Sequence, residues 1–231
     1  MIQVTHLQKV YNGVTVLNIP ALTINQGESF GLVGNNGAGK TTFFRLILDL
    51  IEASAGEVTV DNARVMRNDE WKNKVGSFLD EGFLIDFLTP EEYFAFVGKL
   101  YGKSEGDIAL FLESVKDFFN GEITGTKKLI RDFSKGNQKK IGIAAALLGE
   151  PKILILDEPF TALDPSSQIR LKRLLNELQT RHNMTMLISS HDLNHVTEVC
   201  KRIVILEKGI VVKDLQTRED TLKELEDYFA V

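Results

Sequence analysis

Cysteine is nearly absent from this chain, and the single Cys200 excludes an internal disulfide and with it a small scaffold stapled by cross-links. Its setting, HVTEVCKRIVIL, predicts a small buried apolar role rather than a reactive thiol, and a reducing compartment suits it. Long hydrophobic runs are lacking too. The longest, IGIAAALLG at 141–149, is about half of the ~20 residues that a bilayer-spanning helix needs. Any membrane part must therefore come from another chain. A basic excess is missing as well: 27 Lys and Arg stand against 32 Asp and Glu, for a net charge of -5, which excludes nucleic-acid binding as the main business. The opening residues MIQVTHLQKVYNG show no basic segment followed by an apolar stretch, so no secretory signal is expected. There is no internal repeat, low-complexity tract or linker. What remains is a chain of 231 residues, 43% hydrophobic and 26% charged, with ample length to bury a core.

Residues 2–33 read as β structure, with apolar alternation punctuated by Asn12-Gly13 and Gln26-Gly27. The apolar FGLV then runs into a Gly-rich turn and into KTTFFRLILDLI, whose Phe43, Phe44, Ile47 and Leu50/Ile51 are spaced for a helix. Short strands follow at GEVTV and KVGSFLD, and Thr89-Pro90-Glu91-Glu92 opens a helical region that runs to about residue 150. Regular α/β alternation resumes at KILILDE. A helix follows with Leu171, Leu174, Leu175 and Leu178 on one face, and then the strand MTMLISS. The closing RIVILEKGIVVKD reads as a hairpin about Lys208-Gly209, and TREDTLKELEDYF as an amphipathic helix.

The octapeptide GNNGAGKT at 34–41 satisfies G-x-x-x-x-G-K-[ST], with a strand before it and a helix after it, as the pattern requires. Its backbone amides can turn inward around phosphate oxygens, Lys40 can neutralise β/γ charge, and Thr41 offers a hydroxyl to Mg²⁺. The expected binders are thus Gly34, Asn35, Asn36, Gly37, Ala38, Gly39, Lys40, Thr41 and Thr42. In ILILDE, four apolar residues bury the strand and Asp157 emerges at its carboxyl end, where open α/β sheets bind ligands. Asp157 would hold Mg²⁺, and Glu158 would polarise an attacking water. His191 follows the strand MTMLIS at the same sheet edge, where it is a helix cap, a polar surface residue or a γ-phosphate contact; with the other motifs present the last reading is preferred. His6, His182 and His195 have no such placement.

A second stretch, RDFSKGNQKKIG at 131–142, sets Ser134 and Gly136 at the mouth of an apolar helix with basic residues on both sides, which is also an anion-site pattern. The order GNNGAGKT, FSKGNQKK, LILDEPFTALDP, ISSHD closely resembles the ATP-binding subunits of ABC transporters, over essentially the whole chain. That resemblance implies an α/β fold: a P-loop NTPase core with a mostly parallel sheet, an N-terminal antiparallel β subdomain, and an α-helical subdomain inserted at about 89–150. Residues 1–231 would be a single ATPase domain. It implies ATP and Mg²⁺ as ligands, with Tyr11 stacking on adenine and Asp164 belonging to a loop that crosses a dimer. It also turns RDFSKGNQKKIG into half a site, in which Ser134, Gly136 and Asn137 meet a nucleotide held by a second subunit. The partners it implies are an integral membrane permease on a separate chain and a second ATPase subunit, identical or paralogous. The location it implies is the cytoplasmic face of a membrane.

Two departures stand out. Asp80, with Glu81 beside it, occupies the place where the family usually has Gln; an acid can still reach Mg²⁺ or water but cannot donate as Gln does. The usual Leu-Ser-Gly-Gly-Gln signature appears as Phe133-Ser134-Lys135-Gly136-Asn137. Together they resemble the exporter-type branch. The expected function is an Mg-ATP-dependent, dimerising ATPase subunit that drives a separate permease. The alternative is an ABC-type nucleotide switch in a soluble complex, with slow hydrolysis. A GTPase would want Asn-Lys-x-Asp, and the nearest string, NKVG at 73–76, lacks the acid.

Overall fold

A computed structural model describes residues 1–230. Strands β1 (Ile2–Tyr11) and β2 (Val14–Ile24) pair antiparallel about Asn12-Gly13, both at positive φ, the geometry a two-residue hairpin needs to match strand twist. β4 (Ala55–Val60) lies on the other side of β1, and the two-residue β5 (Ala63–Arg64) closes this four-stranded antiparallel sheet in the order β2-β1-β4-β5.

The second sheet has six strands. β3 (Ser29–Val33), β6 (Val75–Phe78), β7 (Ile153–Leu156), β8 (Thr185–Ser190), β9 (Arg202–Glu207) and β10 (Ile210–Gln216) are ordered β10-β9-β3-β8-β7-β6. All neighbours are parallel except the hairpin-linked edge pair β9–β10. Helix α1 (Lys40–Ile47) follows β3. Between β6 and β7 the chain makes α2 (Pro90–Leu100), α3 (Glu105–Ser114), α4 (Lys116–Phe119) and α5 (Lys135–Leu147), the helical block expected at 89–150. The remaining helices are α6 (Pro165–His182), α7 (Leu193–Val199) and α8 (Thr221–Phe229). No helix among the described residues is long and apolar enough to cross a membrane.

The strands are buried on both faces because their alternate residues feed two different cores. Leu154, Leu156, Met186 and Ile188 join the helices of the block, whereas Ile153, Ile155 and Leu187 join Phe43 and Phe44 of α1 and the antiparallel sheet. α1 stops at Ile47 rather than running on to Leu50/Ile51: Asp49 adopts a left-handed conformation, φ +52°, and Leu50 is left half exposed. Cys200 is buried, as expected, and burial pushes its thiol pKa up.

Strand register brings the motifs together. Val33 pairs with Ser190, Leu156 with Ile188, and Phe78 with Leu156, so β3, β8, β7 and β6 are consecutive neighbours that end at one edge. The phosphate loop, His191, Asp157-Glu158 and Asp80-Glu81 therefore issue from the same side of the sheet. α5 is seated against β6 by close backbone approach: a Cβ on Gly76 would lie 2.0 Å from the Ala146 carbonyl oxygen. Gly76→Ala should therefore destabilise the fold by about 1–3 kcal/mol. Gly106→Ala should stabilise it by about 0.5–1 kcal/mol, because that position lies in the first turn of α3 with Ser104 Oγ 3.7 Å away. Urea-unfolding midpoints of the two variants check the opposite signs.

Candidate functional site

The phosphate loop is a nest built around a helix start. Gly39 caps α1 with φ +108°, and no side chain accepts its first amides, so these N–H groups remain available for an anion. A side chain at Gly39 would be strained by that φ, and its Cβ would stand 3.2 Å from the Val16 carbonyl. Lys40 is buried, and its Nζ donates to the Gly34 carbonyl at 2.6 Å and, more weakly, to the Asn35 carbonyl at 3.4 Å. It also lies 3.4 Å from Glu158 Oε1. Asn35, Asn36 and Gly37 form the exposed crest of the loop, and Thr41 and Thr42 sit half-buried behind it.

Asp157 stands just past β7, 5% exposed. Thr41 Oγ1 donates to its Oδ2 at 2.5 Å, and Ser189 Oγ donates to its Oδ1. A hydroxyl and a carboxylate oxygen in direct contact are hard oxygen donors suited to Mg²⁺, which takes few protein ligands alongside substrate phosphates. ATP and Mg²⁺ thus fit the residues present. Thr41 and Asp157 would hold the ion, and the uncapped amides with Lys40 would hold the phosphates.

Glu158 is gathered into the same cluster. Its carboxylate lies between Lys40 and His191, whose Nδ1 is 2.9 Å from Oε2 and whose backbone N–H donates to the same oxygen at 3.3 Å. Carboxylates only accept, so Nδ1 is the donor. The backbone of Glu158 is itself in the left-handed region, φ +48°, and is held at both polar groups. Its N–H donates to Ser189 Oγ at 2.9 Å, and its carbonyl accepts from Lys139 Nζ and from Thr161 Oγ1, each at 2.8 Å.

Ser134 is the N-cap of α5, as expected, accepting the Asn137 N–H at 3.2 Å, and Ser134 and Lys135 are exposed. The positive flank is smaller than the sequence suggests. Lys139 and Lys140 are buried and turned into the protein, the first onto the Glu158 carbonyl and the second onto Glu122 at 3.0 Å. Burial lowers the pKa of Lys139. Gly136 has a packing reason for its lack of side chain, since a Cβ there would meet the Ala162 carbonyl at 2.6 Å. No hydrogen bond among the described residues joins 134–137 to the phosphate loop.

Asp164 caps α6, accepting from the Ser167 N–H at 3.0 Å and from the Ser166 and Ser167 hydroxyls at 2.7 and 2.5 Å. These donors, the Ser167 hydroxyl first, hold its carboxyl well below the usual range. Tyr11 ends β1 with its ring exposed and Lys9 Nζ 4.7 Å from the ring centroid. Its cross-strand partner Val14 lies two residues before Val16, whose carbonyl would crowd a side chain at Gly39, so the hairpin flanks the phosphate loop. Asp80 stays outside the Thr41–Asp157 contact. It accepts from the Gly82 N–H at 2.8 Å and lies 3.9 Å from Arg45 Nη2.

Sequence reading thus finds Lys40, Thr41, Asp157, Glu158 and His191, which the fold brings together, and overlooks Ser189, Thr161 and Lys139, which hold them. Ser189 is a small polar residue at the buried end of an apolar strand, a signal that burial is balanced by a partner, whereas Lys139 stands beside Lys140 in the polar first half of α5 and gives no such signal.

Comparison with known proteins agrees with this geometry. A family profile described as ABC transporter matches residues 17–161. The ABC transporter ATP-binding protein NatA of Bacillus subtilis is 35% identical over 200 residues, covering 83% of this chain and 78% of its own length. An uncharacterized ABC transporter ATP-binding protein of Synechocystis is 34% identical over 192 residues, 82% of this chain, and the chain spans only 53% of that relative. Among solved structures, the ATP-binding cassette MJ0796 in a dimeric post-hydrolysis state bound to ADP and Pi superposes with a TM-score of 0.83 at 25% identity, covering 94% of this chain and 99% of that one. With a phosphate loop, a buried strand-end aspartate and a glutamate–histidine pair converging at one sheet edge, the chain belongs to the ABC transporter family as an ATP-binding cassette with ATPase activity.

Proposed function

We propose that this chain is the ATPase subunit of a membrane transporter, dimerising around two ATP molecules and driving a permease on a separate chain. The observation that carries this is the Glu158 carboxylate, held between the phosphate-binding Lys40 and His191. Residues 1–231 form one ATPase domain in this reading, with 89–150 as its inserted helical subdomain. Lys40 and the α1 amides bind the β/γ phosphates, and Tyr11 stacks on the adenine. Thr41 and Asp157 hold Mg²⁺, which when bound neutralises charge on the transferring phosphoryl group. Lys40 leaves Glu158 as phosphate arrives, and the freed carboxylate orients and takes a proton from the water that attacks the γ-phosphorus, as the bond from that phosphorus to the β-phosphate oxygen breaks and ADP leaves, while His191 reaches the γ-phosphate. Asp80 approaches this site only after the loop that it caps has shifted.

Ser134, Gly136, Asn137 and the Asp164 loop complete the site of the partner subunit. Support comes from the exposed cap of α5, the lack of hydrogen bonds from it to its own phosphate loop, and the dimeric state of the MJ0796 cassette. The Ser-Lys-Gly signature and the acidic loop at Asp80 support the exporter-type branch. For the permease, a groove of about 400 Å³ between the β6 edge and the helical block offers Phe83, Leu84, Tyr93 and Val97, and Phe87 stands exposed on the adjoining loop. In this reading the chain works at the cytoplasmic face of a membrane, which its likeness to transporter ATP-binding proteins supports.

Glu158→Gln should bind ATP as the wild type does, accumulate as a dimer in Mg-ATP and hydrolyse at least about 100-fold more slowly. Light scattering at saturating Mg-ATP reads the mass, and a monomer there contradicts the mechanism. Ser134→Arg should leave ATP binding to the monomer unchanged while abolishing turnover; loss of nucleotide affinity in the isolated monomer would place Ser134 in its own chain's site instead.

A further inference from the structure

Glu158 does its work only if its carboxylate points at one place, and its backbone is poorly suited to staying there. A left-handed φ of +48° is unfavourable for a residue with a side chain, so the surroundings must hold it. Ser189 holds the N–H from β8. The carbonyl is held from elsewhere: Lys139 Nζ at 2.8 Å and Thr161 Oγ1 at 2.8 Å both donate to it, and Lys139 also donates to Thr161 Oγ1 at 2.7 Å. Lys139 is 5% exposed, and its only carboxylate neighbour within 4 Å among the described residues is Glu81, at 3.8 Å. A buried ammonium whose closest bonds go to a carbonyl and a hydroxyl is a brace, since an ion pair alone would be satisfied by a carboxylate.

The position of the brace gives it a second meaning. Lys139 lies on α5 five residues beyond Ser134, and this 13-residue helix is rigid over that distance. We propose that Lys139 is a positioning residue for hydrolysis, fixing the backbone of Glu158 from α5 and passing the placement of the Ser134 end to the carboxylate of its own chain. In a closed dimer, the nucleotide held by one subunit thereby sets Glu158 at the other nucleotide. This role rests on the proposed function, in which Glu158 polarises water and Ser134 meets a partner's nucleotide.

Lys139→Met and Thr161→Val test it in the full chain by single-turnover hydrolysis of Mg-ATP, with equilibrium ATP binding and thermal unfolding alongside. A carboxylate displaced by about 1 Å should lower kcat about 10- to 100-fold in Lys139→Met, with KM and ATP affinity within about twofold of wild type. Thr161→Val changes no charge yet loosens the same carbonyl, so it should also lower kcat, whereas a purely electrostatic role for Lys139 leaves it silent. Lys139→Arg, which can still donate to the carbonyl, should recover part of the loss. In a Glu158→Gln background, Lys139→Met should cost nothing more, because its effect runs through that carboxylate. An unchanged kcat in Lys139→Met, or the same fold loss with and without Glu158, overturns the brace and leaves the reading of Glu158 standing. Wild-type turnover by Glu158→Gln removes that reading and the brace with it. Should Lys139→Met lack a cooperative unfolding transition, Thr161→Val decides: a wild-type kcat there overturns the proposal.

Discussion

Asp157 is a single buried carboxylate on which three other pieces of chain converge. Thr41 reaches it from the start of α1, Ser189 from the end of β8, and its own N–H continues the ladder onto the Phe78 carbonyl at the end of β6, at 3.0 Å. A charge buried to this degree is costly unless every lone pair finds a donor. Each hydrogen bond to a charged group contributes roughly 1.5–3 kcal/mol, so the two hydroxyls weigh as much as a well-packed core side chain. The contact holds only if β3, β8, β7 and β6 are adjacent and end in register. The strand order that buries the sheet is therefore the same condition that assembles the site, and neither can be altered without the other.

The helical block is fastened to this frame chiefly along α5. One end of that helix packs against β6, where Gly76 and Gly142 admit the Ala146 carbonyl and the Phe78 ring, and the other end meets the turn from Glu158 to Ala162. Two glycines and one lysine thus set the position of a helix whose first residue faces solvent. A surface residue such as Ser134 is located to this degree because the helix behind it is buried for most of its length.

Much of this is legible in the sequence where the physics is local. The strand-loop-helix around GNNGAGKT, the apolar strand before Asp157, the helix start at Thr89-Pro90 and the hairpin at Lys208-Gly209 all come from periodicity, turn residues and caps, and each stands in its expected place. The end of α1 is hidden because Leu50 and Ile51 keep helical spacing, while a left-handed Asp49 breaks the backbone beneath them. Lys139 and Lys140 resemble a charged flank because the sequence does not show that Glu122 and the Glu158 carbonyl lie within reach. Ser189 escapes notice for the same reason: its two partners are 31 and 32 residues away in sequence. Whatever depends on a partner brought by the fold is beyond periodicity and motif alone.

The contact of Lys40 with Glu158 has a consequence for what the loop admits. Lys40 is already paired with a carboxylate of its own chain and hydrogen-bonded to the Gly34 carbonyl, so in the proposed function an incoming phosphate meets an internal rival of high effective concentration. A lone small anion offers Lys40 little that Glu158 does not. A chain of linked phosphates reaches the α1 amides and Lys40 together, and can displace the carboxylate with contacts that it cannot imitate. In the proposed function this contact favours a run of linked phosphates over a lone anion, and the group that sets the preference is the carboxylate proposed to activate water.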